Sequence, residues 1–89
     1  LPNLTQKQWR VLLGLIDVAD KIQTALAQVK AADRVQYAHL YAAIYGSEYY
    51  EYGVAVSLFT SIKPIFMAID DQLDLSDAAI KDAWLIASQ

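Results

Sequence analysis

Residues 34–52 read RVQYAHLYAAIYGSEYYEY and hold all six tyrosines of the chain: Tyr37, Tyr41, Tyr45, Tyr49, Tyr50 and Tyr52. Four of these, at 37, 41, 45 and 49, are spaced four residues apart. On an α-helix, positions four apart lie one above the other, so this spacing makes an aromatic ridge. Asp33 with Gln36 carries an N-terminal capping signal, and Gly46 suits the left-handed residue that closes many helices. A helix is therefore predicted over 34–45. A tyrosine is apolar along its ring and polar at its tip, which fits a surface buried on one side and wet on the other.

Downstream of the ridge, Ser47 suits an N-cap, and Glu48 and Glu51 complement the positive end of a helix over 48–62. Val54, Val56 and Leu58 alternate as a strand would, while Tyr49, Tyr52, Val56, Phe59 and Ile62 keep helical spacing. A lone strand has no partner elsewhere in the chain, so helix is preferred. Pro64 fits the first turn of a further helix over 64–72, where its missing N–H is no loss. The loop DDQLDL then leads to Ser76, an N-cap followed by Asp77, with Leu75 placed to staple against Ile80. The last helix is predicted over 77–87, with Ile80, Ala83, Trp84 and Ala87 turned inward.

Upstream, Thr5 with Gln8 fits a capping box and opens a long helix over 6–31. Val11, Leu15, Val18, Ile22, Ala25 and Val29 follow a heptad-type seam along it. Trp9, Leu12, Leu13, Ile16 and Ala19 cover a second face of its first half, so those turns are apolar over most of their circumference and must be enclosed. Gly14, inside this segment, suits a close helix crossing. The fold class is all-α: a small bundle of four to five helices in a single domain over 1–89.

Composition points outward from that bundle. The chain has 89 residues, 56 % of them hydrophobic and 19 % charged. Ordinary domains run near 45–50 % and about 25 %. A chain this short buries a modest fraction of its surface, which leaves apolar area for a partner or a second copy. Charge is uneven: residues 1–34 carry five basic and three acidic groups, a net of +2, and residues 35–89 carry two basic and seven acidic groups, a net of −5. Such asymmetry lets one end of a molecule attract the other end of a neighbour.

Several function classes find no support. The chain has no cysteine, hence no disulfide framework or thiolate metal site. His39 is the only histidine and has no acidic residue three or four positions away to orient it, so it reads as a surface residue beside the tyrosines. Asp70, Asp71, Asp74 and Asp77 fail the calcium-loop pattern, lacking its sixth-position glycine and twelfth-position glutamate, and read as a solvated loop. No phosphate loop, nucleophile elbow or zinc-protease motif occurs. No catalytic, metal or cofactor residue is therefore expected, nor an enzyme. Nucleic acid needs clustered Lys and Arg, whereas the charges next to the tyrosines are Glu48 and Glu51. Ser57, Thr60, Ser61, Lys63 and Pro64 interrupt the apolar run at 52–69, which argues against a membrane span. The chain begins without methionine and shows no basic-then-apolar leader, as a processed chain of the cytoplasm or a virion would.

What remains is contact. The expected function is a non-enzymatic interaction or assembly subunit, self-associating as a homo-oligomer or docking into a larger particle such as a virion. Tyr37, Tyr41 and Tyr45 are expected to pack against the first helix. The residues expected to meet a partner are Tyr41, Tyr45, Tyr49, Tyr50, Tyr52, Trp9 and Leu13. The alternative is a small monomeric inhibitor or adaptor that binds one protein target through its acidic C-terminal half.

Overall fold

A computed structural model describes the whole chain, Leu1–Gln89. Five helices follow a two-residue strand: β1 Leu4–Thr5, α1 Gln6–Leu15, α2 Ile22–Ala32, α3 Arg34–Tyr45, β2 Tyr49–Tyr50, α4 Tyr52–Ile69 and α5 Asp77–Ala87. The expected small all-α bundle is what forms. Its helices are divided differently.

The long first helix is two helices. The capping box forms as expected: the Gln8 amide donates to Thr5 Oγ1 at 3.2 Å, and the Thr5 amide donates to Gln8 Oε1 at 2.9 Å. α1 then stops because Asp17 takes φ 62°, the only left-handed non-glycine residue in the chain. Around it the Asp17 amide donates to the Gly14 carbonyl at 3.1 Å and the Val18 amide to the Leu13 carbonyl at 3.0 Å. These two bonds make a Schellman motif with aspartate in the glycine position, and Leu13 and Val18 supply its buried apolar pair. Because the chain turns there, the heptad-type seam does not run through. Val11 and Leu15 face outward, while Trp9, Leu12, Leu13 and Ile16 are buried.

The second departure is at Pro64. The helices expected at 48–62 and 64–72 are one helix, α4, with Pro64 inside it. A proline in a helix interior removes one hydrogen bond and crowds the preceding turn. Ala55, Phe59, Ile62 and Phe66 are buried on both sides of it along one stripe. Burial of Phe59, Ile62 and Phe66 is worth about 1.5–3 kcal/mol each, enough to hold the helix through the proline. α4 is long and apolar enough to cross a membrane by length and composition; in this fold those four side chains face the core.

Residues 49–50 do not begin a helix. They pair antiparallel with the lead-in, Leu4 opposite Tyr50 and Thr5 opposite Tyr49. A strand partner thus exists, in four residues too short to carry periodicity. α3 and α5 keep their expected bounds. Asp33 Oδ1 accepts from the Val35 and Gln36 amides, and Ser76 Oγ accepts from the Ala79 amide at 3.3 Å.

α2 and α3 pack as a hairpin, and α1 lies against α5 with Gln8 Nε2 donating to the Ser88 carbonyl at 3.4 Å. The core holds 23 buried residues, all apolar by class, centred on Trp9, Trp84 and Phe66. The molecule measures 37 × 29 × 19 Å. At about 10–12 Å per helix it is two helices deep in its thinnest direction, so most helices keep one face in solvent.

Candidate docking surfaces

The tyrosine stretch splits into two faces. Tyr37, Tyr41 and Tyr45 form a ladder along α3, with ring centroids 6.1 and 5.2 Å apart. Tyr37 and Tyr45 are half-buried against the core, and Tyr41 stands between them 49 % exposed. Lys30 of α2 lies over the Tyr37 ring, 5.2 Å from its centroid, and Arg10 of α1 lies over Tyr45 at 5.6 Å. Arg34, three residues before Tyr37 on α3, begins the same stripe and is exposed. The ladder is thus flanked by cations. Glu48 and Glu51, which sequence alone sets beside all six tyrosines, accompany only the later three. Arg10 and Lys30 arrive through the fold, from helices that sequence spacing could not place against this face.

The second face lies beyond α3. Trp9, Ala43, Ser47, Tyr49, Tyr50, Glu51, Val54, Ala55 and Leu58 line an open cleft of about 470 Å³. Tyr49 and Val54 are each 65 % exposed at its edge. Trp9 and Tyr50 form its floor and are almost wholly covered.

Of the side chains expected to meet a partner, Tyr41 and Tyr49 are exposed, and Tyr45 and Tyr52 half-buried. Tyr52 stands edge-on to Trp84 with centroids 5.4 Å apart. Trp9, Leu13 and Tyr50 are 1 %, 4 % and 6 % exposed. These three are core residues: Leu13 is enclosed, which corrects the expectation that it reaches a partner, and Trp9 and Tyr50 are corrected from exposed contact residues to the covered floor of the cleft. Trp9 and Tyr50 are held inside by each other and by the end of α3, where their polar tips find acceptors. The Gly46 expectation is corrected by the same contacts. Gly46 has φ −99°, not left-handed. The carbonyls at the end of α3 are met from outside the helix: Tyr45's by Gln6 Nε2 at 3.1 Å, and Ile44's by Trp9 and Tyr50. Glycine is needed because a Cβ at 46 would lie 2.7 Å from the Ala42 carbonyl oxygen.

Charge pairing is confined to one place. Lys21 Nζ lies 3.1 Å from Asp20 and 3.6 Å from both Asp17 and Asp70, and makes every salt bridge in the molecule. It ties the turn after α1 to the C-terminal end of α4. Its partial burial opposes the charge, but the hydrogen bond to Asp20 and the fields of the three carboxylates outweigh that, so its pKa is raised above the ordinary 10.5. Arg10, Lys30 and Arg34, like Glu48 and Glu51, have no intramolecular ion-pair partner.

The acidic loop is engaged locally. Asp70 Oδ1 accepts from the Gln72 amide at 3.0 Å, and Asp74 Oδ1 from the Ser76 amide at 3.1 Å. Hydrogen bonds from the Ser76 side chain and amide, opposed by slight desolvation and aided by Lys63, lower the Asp74 pKa below the ordinary 3.8. His39 is exposed on α3. No family model, curated protein or solved structure matches the chain.

Proposed function

We propose that this chain is a protein–protein interaction or assembly subunit whose contact surface is the tyrosine ladder of α3. The observation that carries this reading is Tyr41, half in solvent between two ring neighbours and flanked by cations without carboxylate partners. Aromatic rings and arginines are the side chains that protein interfaces favour over the remaining surface. An exposed ring already held by its neighbours loses little rotamer freedom on contact, which lowers the cost of binding. The setting that fits is a homo-oligomer or a larger particle, a virion component among them.

Mass measured by light scattering over a concentration series tests this. Wild type is expected to gain mass with concentration, and Tyr41→Ser to shift that rise to higher concentration. The adaptor reading draws on the second face, an apolar cleft with Glu51 in its wall, which suits a basic target. It requires wild type to stay a monomer throughout the series.

A further inference from the structure

The two faces differ in charge and lie on opposite flanks of one helix. At 100° per residue, Ala43 in the cleft wall is about 200° around α3 from Tyr41 on the ladder. One face presents Arg10, Lys30 and Arg34 around Tyr41. The other presents Glu51 in the wall of a cleft of about 470 Å³ edged by Tyr49 and Val54, with the exposed Glu48 between Ser47 and Tyr49 in the chain. None of these five charges has an ion-pair partner within the molecule, since every salt bridge belongs to Lys21. A face of unpaired cations with a projecting aromatic ring complements a face of unpaired carboxylates around an apolar recess.

We propose that the occupant of the cleft is the ladder of a second copy, so that the protein assembles head to tail. This rests on the assembly reading and specifies its geometry. Tyr41 of one copy enters the recess beside Leu58 and Val54 of the next, and Arg34 and Lys30 meet Glu48 and Glu51. Such a contact joins two different surfaces, so it leaves a free ladder at one end and a free cleft at the other. It propagates into a ring or an open filament and does not stop at a two-fold dimer. The opposite flanks of α3 keep the two surfaces from competing for one neighbour. Ladder against ladder would set cation against cation, and cleft against cleft carboxylate against carboxylate, both unfavourable.

The test uses two charge-reversed variants of the full chain. One carries Lys30→Glu with Arg34→Glu, and the other Glu48→Lys with Glu51→Lys. All four positions are exposed, so both variants are expected to keep the circular-dichroism spectrum of wild type. Each alone sets like charges face to face and is expected to weaken association by about tenfold or more, read as the concentration at half-maximal mass. Mixed one to one, they restore opposite charges at both contacts, and the mass is expected to recover to that of wild type. If either variant alone assembles like wild type, the head-to-tail contact is overturned while assembly itself stands. If wild type is a monomer at every concentration, both fall. A wild type that stays monomeric yet retains a single-stranded oligonucleotide, and loses it in the Lys30→Glu, Arg34→Glu variant, overturns the proposal in favour of a nucleic-acid surface.

Discussion

Trp9 lies flat on Tyr50, with ring centroids 4.3 Å apart and planes 2° from parallel, and both rings donate to one carbonyl. Trp9 Nε1 reaches the Ile44 oxygen at 2.9 Å and Tyr50 Oη reaches it at 2.8 Å. The pair joins α1, β2 and the end of α3. Ile44 belongs to the last turn of α3, where carbonyls lack helical partners. A buried carbonyl with two lone pairs can accept both donors.

That sharing makes a non-additive prediction. Tyr50→Phe keeps the stack and leaves Ile44 with one donor, so it is expected to cost about 1 kcal/mol. Trp9→Phe costs more, because it also removes ring volume from the core. The double variant leaves the carbonyl buried without a donor and is expected to lose more than the sum of the two. Urea unfolding of the four proteins measures this. A Tyr50→Phe variant indistinguishable from wild type contradicts the account of the pair.

The turn at Asp17 is testable by the sign of a difference. In the left-handed conformation glycine is favoured, and Asp17→Gly is expected to be more stable than Asp17→Ala by about 1 kcal/mol. In an uninterrupted helix the order reverses by a similar amount. Both variants lose the Asp17–Lys21 pair equally, so thermal midpoints compared with each other isolate the backbone term.

The two shifted groups set the pH dependence at opposite ends. Asp74 has a lowered pKa, so its contribution is present above pH 3.8 and is lost as the pH falls through its lower folded value. Lys21 has a raised pKa, so its contribution is complete below pH 10.5 and is lost as the pH rises through its higher folded value. Between those limits neither group changes stability. The expected result is that Asp74→Asn flattens the acid limb of the melting-temperature profile and Lys21→Gln the alkaline limb. Variant and wild type are compared at each pH.

How much of this was readable in the residues depended on whether the signal was local. α3 and α5 have capping residues of ordinary type at Asp33 and Ser76, and their bounds follow from sequence. The break between α1 and α2 was hidden because aspartate holds the position glycine usually takes, while apolar spacing continued across it. Pro64 carries the local signal of a helix start, and the burial of Phe59, Ile62 and Phe66 that carries α4 through it is a tertiary effect. The β1–β2 pair is too short for periodicity. On the proposed docking faces, the exposed Tyr41 and Tyr49 belong to the stretch that spacing picked out. Arg10 and Lys30 do not, because only the packing of α1 and α2 against α3 brings them to the ladder. An unbroken apolar helix over 6–31 leaves Trp9 and Leu13 more apolar surface than this chain can enclose, whereas the ten-residue α1 is enclosed.

The most direct test of where this protein makes contact is an NMR dilution series on isotope-labelled wild type, followed residue by residue. The ring and amide signals of Tyr41 and Lys30, together with those of Tyr49 and Val54, are predicted to shift along one common binding curve as the protein is diluted. Signals of Val11, Leu15 and Ile86 on the outer faces of α1 and α5 are predicted to stay still. Dilution that moves no signal, or moves only those of α1 and α5, contradicts the account.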